Sequence, residues 1–272
     1  MHPRALLGER GLRPKRRLGQ NFLMDAGVAG RIARLCVDEP AGRVVEIGAG
    51  TGALTIALLA LGAAVTAIEI DPDLVAIMRS RPELLPATIL QADALAFDFA
   101  GWAAGSPWVA AGNLPYNIAT PLIGQLLEAA EPPDRIVAMI QRDVADRLTA
   151  QPGTPAYGGL TLAVQYRATV RRAFKLGPSS FYPPPKVDSA VVVLDRRVVP
   201  PVNVRNPQFL LQVVRAGFAY RRKTLANSLA LALDLDRAGV LERLRDLGLA
   251  AEIRGEQLDL DAFAAIADSL AN

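Results

Sequence analysis

Between Val44 and Ala111 four apolar runs each break off at glycine or polar residues, and no other feature of the chain restricts its fold so strongly. Val44-Val45-Glu46-Ile47 enters Gly48-Ala49-Gly50-Thr51-Gly52 and then a helix from about Ala53 to Leu61. Ala64 to Ile70 ends in Glu69-Ile70-Asp71, with Pro72 suited to the first turn of the next helix. Thr88 to Gln91 ends in Ala92-Asp93-Ala94. Trp108 to Ala111 leads into Gly112-Asn113-Leu114-Pro115-Tyr116-Asn117-Ile118, followed by Ala119 to Ala130, where Leu122, Leu126 and Leu127 have helical spacing. Arg135 to Ile140 adds a fifth strand and Gln141 to Leu148 a helix. Buried strands alternating with helices predict an open, mostly parallel α/β sheet, whose ligands sit at the carboxyl ends of the strands.

Each strand end carries usable chemistry. Glycines after the first strand let the backbone approach a ligand where any Cβ would collide. Their Gly-x-Gly-x-Gly spacing is neither that of a nicotinamide site nor that of a P-loop. Glu69 can accept both hydrogen bonds of a ribose diol, while Asp71, preceding Pro72, suits an N-cap. Asp93 can accept from the exocyclic amine of an adenine. Asn113 and the carbonyl of Leu114, which Pro115 diverts from helix bonding, offer two acceptors beside the flat face of Tyr116. That set can hold a planar base by its amino group.

Composition removes several classes. Hydrophobic residues make up 51% and charged residues 21%, as in a packed globular protein. The longest apolar runs fall well short of a membrane span, and the N-terminal residues lack a secretory apolar core, so a cytoplasmic protein with no membrane partner is expected. His2 is the only histidine and Cys36 the only cysteine. Histidine-based zinc sites, Ser-His-Asp triads and internal disulfides are thereby excluded, and Cys36, on a helix face with Ile32 and Leu35, reads as core. Net charge is only +3, but it is segregated. Residues 1–17 hold six basic side chains, including Arg16 and Arg17, against one acid. Residues 205–223 hold five, including Arg221, Arg222 and Lys223, against none. Such segregation marks surfaces that meet a polyanion.

Elsewhere, Leu18-Gly19-Gln20-Asn21-Phe22-Leu23 reads as a docking segment before a helix capped by Asp25. Gly159 to Gln165 reads as a helix, and Val170 to Leu176 and Val187 to Leu194 as antiparallel strands. Between those strands, Phe181-Tyr182-Pro183-Pro184-Pro185-Lys186 is a proline-stiffened segment able to hold Phe181 as an aromatic plate, unless Phe181 turns into the core. Pro200-Pro201 marks a linker, and only helices follow: Asn206-Pro207 to about Ala219, one opened by Arg221 to Thr224, Asp236 to Leu247 and Asp259 to Leu270. Two domains are expected, residues 1–199 for ligand binding and catalysis, and residues 200–272 as a small helical domain.

Taken together, these motifs resemble the bacterial small-subunit (16S) ribosomal RNA adenine N6-dimethyltransferase family. The matching segments are Leu18 to Leu23, Val45 to Thr55, Gln91-Ala92-Asp93, Gly112 to Ile118, Phe181 with Pro183 to Ser189, and Arg221 to Leu225 with Asn227-Ser228-Leu229. The resemblance implies a Rossmann-like methyltransferase fold with S-adenosylmethionine as donor and S-adenosylhomocysteine as product. Its implied targets are two adjacent adenosines in the hairpin loop near the 3′ end of 16S rRNA, with a role in late small-subunit assembly. It puts the cofactor against Asn21, Leu23, Gly48, Glu69, Asp93 and Asn113, with Gly50 in the same loop. The chain departs from the family pattern at Ala219-Tyr220 and at Ala226, leaving the catalytic motifs unaltered.

The expected chemistry is in-line methyl transfer to adenine N6. The Asn113 side-chain oxygen and the Leu114 carbonyl accept the amino hydrogens, and Tyr116 and Phe181 stack the extruded base. No histidine or metal is required. Arg16, Arg17, Arg221, Arg222 and Lys223 would hold phosphates of the RNA, and a monomer is expected. Three rival readings carry less weight. A resistance-type 23S rRNA adenine methyltransferase shares the Asn-Leu-Pro-Tyr motif but not the Pro-Pro-Pro-Lys-Val-Asp-Ser run. A non-catalytic RNA-binding assembly factor would not need every catalytic position. The glycine spacing disfavours a nicotinamide oxidoreductase.

Overall fold

A computed structural model describes residues 2–37, 42–220 and 222–271. The chain order is α1 (Pro3–Gly8), β1 (Phe22–Leu23), α2 (Ala26–Cys36), β2 (Arg43–Ile47), α3 (Ala53–Leu59), β3 (Ala64–Glu69), α4 (Pro72–Arg79) and β4 (Thr88–Gln91). There follow α5 (Phe99–Ala103), β5 (Val109–Asn113), α6 (Ala119–Glu128), β6 (Arg135–Gln141), α7 (Arg142–Leu148), α8 (Gly159–Arg167), β7 (Ala168–Leu176), β8 (Phe181–Tyr182) and β9 (Ser189–Arg196). Helices α9 (Pro207–Gly217), α10 (Leu225–Leu233), α11 (Arg237–Asp246) and α12 (Leu260–Leu270) complete it.

Seven strands form one sheet in the order β4-β3-β2-β5-β6-β9-β7. The pairs from β4 through to β6 are parallel, and β9 runs antiparallel to β6. On one face Val44, Val65, Ala111, Val137 and Val191 pack with Val28, Ile32, Cys36, Leu54 and Leu58 of α2 and α3. The alternate residues Val45, Ala110, Ile136, Ala138 and Val192 point the other way and are buried as well, as a sheet covered on both faces requires. Because β9 is antiparallel, its first residue, Ser189, lies opposite Gln141 at the end of β6. The segment from Phe181 to Asp188 thus arrives at the rim where the parallel strands end.

The chain divides into two compact units: residues 1–145 with 170–196, and residues 146–169 with 197–272. The second unit therefore begins before residue 200. Tyr157, Leu162 and Tyr166 belong to the same core as Leu210, Val214, Leu229 and Phe263, and Tyr157 donates to the carbonyl of Leu258 at 2.8 Å. Asn206, Asp236 and Asp259, the first residues of three of the helical ranges read from the sequence, cap their helices by accepting backbone N–H groups. Ala226 is buried in this core, so that departure from the family pattern is a packing position.

Other elements shift in detail. Val187 and Asp188 precede β9 instead of forming part of it. Helices α1 and α5 and the two-stranded β1–β8 ribbon had no periodic signal in the sequence.

Candidate active site

The glycine loop after β2 is shaped by three left-handed residues, Gly48 (φ 70°), Gly50 (φ 61°) and Gly52 (φ 84°). A Cβ on Gly52 would lie 2.6 Å from Leu84 Cδ1, so the loop needs glycine there for space as well as for conformation. The Glu69 carboxylate accepts from Gly50 N at 2.8 Å and from Asp71 N at 2.9 Å. One acid at the end of β3 thus spans to the loop after β2. Burial pushes the Glu69 carboxyl up, against the opposing pull of those N–H donors. Glu46, also buried, is pushed up to about 8 by burial and by the nearby Glu69, while Thr55 Oγ, 2.5 Å away, partly offsets this.

Strand β5 brings the second half of the site. Gly112 runs so close to β2 that a Cβ would stand 2.3 Å from the Ile47 carbonyl oxygen. The next residue, Asn113, donates its side-chain amide to the Asn21 carbonyl at 2.6 Å. That bond fixes the direction of the amide: Nδ2 is engaged, and Oδ1 is left as an acceptor. Asn113's own carbonyl and the Pro115 ring both stand 3.7 Å from where a Cβ on Gly48 would be. The Asn-Leu-Pro-Tyr turn and the glycine loop are therefore neighbours.

Tyr116 is half-buried, and its hydroxyl lies 2.8 Å from Ser189 Oγ. Burial pushes the Tyr116 phenol up, partly opposed by Ser189. Ser189 itself is fully buried. The last residue of the Pro-Pro-Pro-Lys-Val-Asp-Ser run thus holds the aromatic ring in place. Asp188 accepts from Arg142 at 2.9 Å, and its carbonyl accepts from Arg142 N at 2.9 Å, which pins the run to the start of α7.

Asn21, Leu23, Gly48, Gly50, Glu69, Asp93, Asn113, Leu114 and Tyr116 all line one cleft of about 1010 Å³ of atom-free space, its open mouth included.

One expected site residue does not join them. Phe181 is 1% exposed and packs with Leu23, Ile32, Ala33 and Met139. The physical reason is its pairing: β8 zips antiparallel onto β1 with Phe181 opposite Leu23, which turns the ring into the α2 side of the core. As an exposed plate it is corrected; it is a buried support for the wall that carries Asn21. Arg16 and Arg17 are exposed in a short 3-10 turn, Arg222 and Lys223 are exposed just before α10, and Arg221 lies outside the described residues. Sequence reasoning missed Gln20 as a lining residue and Ser189 as the ring's anchor. Both lie within motifs quoted above, but only tertiary pairing reveals what they touch.

A family model described as ribosomal RNA adenine dimethylase matches residues 11–271. The chain is 44% identical to a ribosomal RNA small subunit methyltransferase A from Pseudomonas aeruginosa, over 95% of each chain. It is 42% identical to one from Pelotomaculum thermopropionicum, over 98% of this chain and 94% of that one. Among solved structures it is similar to a dimethyladenosine transferase from Plasmodium falciparum (TM-score 0.75, 26% identity, 90% of this chain and 95% of that one). It is also similar to the 23S rRNA methyltransferase ErmE (TM-score 0.70, 25% identity, 93% and 100%). With a match spanning nearly the whole chain, this protein belongs to the ribosomal RNA adenine dimethylase family.

Proposed function

We propose that this protein transfers methyl groups from S-adenosylmethionine to N6 of two adjacent adenosines near the 3′ end of small-subunit ribosomal RNA, and acts late in small-subunit assembly. The observation that carries the reading is the Asn113 amide. Its nitrogen is committed to Asn21, and its oxygen is left to accept beside the carbonyl of Leu114, a residue that the following Pro115 keeps out of the helical conformation.

The cleft fits the cofactor: a left-handed glycine loop allows close backbone approach, and a carboxylate at the end of β3 is held by two backbone donors. Glu69 would take the ribose hydroxyls and Asp93 the adenine amine, with Asn21, Leu23, Gly48 and Gly50 around them. When bound, the cofactor supplies an electrophilic methyl group.

The chain's own residues supply position. Adenine N6 is a poor nucleophile because its lone pair is delocalised into the ring. Accepting its hydrogens at Asn113 Oδ1 and the Leu114 carbonyl favours a pyramidal nitrogen with the lone pair directed outward. Orientation of this kind can contribute about 7–11 kcal/mol to lowering a barrier. Tyr116, its ring fixed by Ser189, offers a stacking face worth on the order of 1–3 kcal/mol, comparable to the cost of unstacking the base. Arg16, Arg17, Arg221, Arg222 and Lys223 would bind phosphates, each through its own unit.

The small-subunit target is favoured over the large subunit by the curated relatives named above, which are small-subunit enzymes and cover almost the whole chain. Incubating undermethylated small and large subunits separately with labelled cofactor tests this. Label confined to the two adjacent small-subunit adenosines is the expected result; label in the large subunit alone would overturn it.

A further inference from the structure

The basic side chains of residues 4–17 do not form one population. Helix α1 and the segment after it are strapped onto α4: Leu7, Leu12 and Phe22 pack with Leu74 and Ile77, and Arg10 donates to Ser80 Oγ. Arg4, Arg13, Arg16 and Arg17 are exposed. Lys15 behaves differently. Its ammonium lies 2.6 Å from Asp71 and 2.6 Å from Asp73.

The Asp71 side chain is only 2% exposed and is shared by several donors. It accepts from Gln20 Nε2 at 2.7 Å and from Asp73 N at 3.1 Å, and Gln20 Oε1 in turn accepts from Lys15 N at 2.7 Å. Burial alone would raise the Asp71 carboxyl, but Lys15 and Gln20 outweigh it and hold it below the usual carboxylate range. Asp71 N donates to Glu69, whose other oxygen accepts from Gly50 N. An unbroken series of bonds therefore runs from Lys15 through Asp71 and Glu69 to the glycine loop. Between Lys15 and α2 the chain is held at the sheet rim by Gln20 on Asp71 and by Asn113 on the Asn21 carbonyl, and Leu18 to Leu23 form a wall of the cleft.

We infer that Lys15 is a positioning residue of the cofactor site, not a phosphate-binding cation: it latches the wall Leu18–Leu23 onto the end of β3. Two carboxylates already neutralise it, so an RNA phosphate gains little there without breaking the pair and stranding a buried Asp71. Gln20 is the uncharged half of the same latch. This rests on reading the cleft as the S-adenosylmethionine site.

The test is calorimetric titration of the full-length protein with S-adenosylhomocysteine, paired with the salt dependence of RNA binding measured without cofactor. Lys15→Met should weaken S-adenosylhomocysteine binding about tenfold. It should raise KM for the methyl donor by a similar factor with kcat at saturation unchanged, and leave the RNA salt slope as in wild type. Lys15→Arg should restore most of the affinity. Gln20→Leu should weaken cofactor binding in the same direction with no change of charge. The double change Arg16→Ala with Arg17→Ala should do the reverse, flattening the salt slope while cofactor affinity holds. Wild-type cofactor affinity in Lys15→Met, or a salt slope flattened as in the Arg16 and Arg17 double variant, would overturn the inference. If the wild-type protein itself bound no S-adenosylhomocysteine, the reading of the cleft would fall instead.

Discussion

The side-chain amide of Asn113 donates to the main-chain carbonyl of Asn21 at 2.6 Å, joining the end of β5 to the segment that enters β1. One bond therefore serves two purposes: it sets which Asn113 atom faces the cleft, and it closes the cleft wall. Asn113→Ala removes the acceptor and the tie together. Methyl transfer should fall by about 10²–10³ or more, the loss typical of deleting one preorganised polar group at a reacting centre. S-adenosylhomocysteine affinity should fall only a few-fold. Single-turnover kinetics and calorimetry on the same preparation would separate the two, and a wild-type transfer rate would refute the positioning account.

Tyr116 and Phe181 separate into different roles. Tyr116→Ala should lower kcat/KM for the RNA substrate by about 10- to 100-fold, matching the loss of one base–aromatic stack of 1–3 kcal/mol. Tyr116→Phe, which keeps the ring and loses its Ser189 partner, should cost much less. Phe181→Ala should act on stability: a fully buried phenylalanine truncated to alanine typically costs about 3–5 kcal/mol. Chemical denaturation would show a large shift for Phe181→Ala and a small one for Tyr116→Ala. A stable Phe181→Ala protein with selectively lost transfer would restore it as a stacking residue.

The difference between those two aromatics shows what the sequence disclosed. Strands β2 to β6 were legible because each is a continuous apolar run between helix signals, and the residues at their ends face one rim whatever the details of packing. Glu69, Asp93 and Asn113 could be collected into one cleft on that rule, whereas Asn21 came to it only through the family resemblance. Phe181 could not be placed, because its direction depends on a two-residue pairing with Leu23, some 160 positions away and without periodicity. The unit boundary was obscured for a related reason. Gly159 to Arg167 has the pattern of any buried helix, and nothing local says that it packs with α9 in the helical core and not with the sheet. Lys15 looked like one more cation in a basic arm until its two acids, more than fifty residues on, were in view.

Gly112 is a test of the fold beneath the site. A Cβ there would meet the backbone oxygen of Ile47, in a central strand that cannot swing aside. Gly112→Ala should destabilise the first unit by about 3 kcal/mol or more, at or beyond the usual overpacking cost, and should shift the register that presents Asn113. Urea denaturation followed by the fluorescence of Trp102 and Trp108, both in the first unit, would measure it. A variant as stable as wild type would show that β2 and β5 are farther apart than described.

Glu46 makes stability depend on pH in an unusual direction. Its carboxyl is pushed up to about 8 in the folded protein from an ordinary value of 4.5. Below 4.5 both folded and unfolded states hold the proton, and the group contributes nothing to the balance. Between about 4.5 and 8 the unfolded chain releases the proton while the folded one keeps it, so stability declines as pH rises, by at most about 1.4 kcal/mol per pH unit. Glu46→Gln should remove that slope, being close to wild type near pH 5 and more stable near pH 8. Denaturation midpoints of the two proteins across this range supply the comparison, and parallel curves would contradict the raised carboxyl.

RNA affinity should depend on salt in proportion to the exposed cations that meet phosphate. Each phosphate neutralised contributes a slope of roughly 0.7 to 0.9 in log Kd against log salt, the lower figure for single strands. Removing Arg222 and Lys223 together should flatten that slope by about 1.4 to 1.8, and removing Arg16 and Arg17 should do the same independently, since the pairs belong to different units. Base-specific contacts carry no such term, so Asn113→Ala should leave the slope untouched while methyl transfer falls as argued above. Filter binding of the small-subunit RNA at several potassium concentrations reads all three variants at once. A slope unchanged in both double variants would mean that these exposed cations face solvent and that the RNA is held elsewhere on the protein.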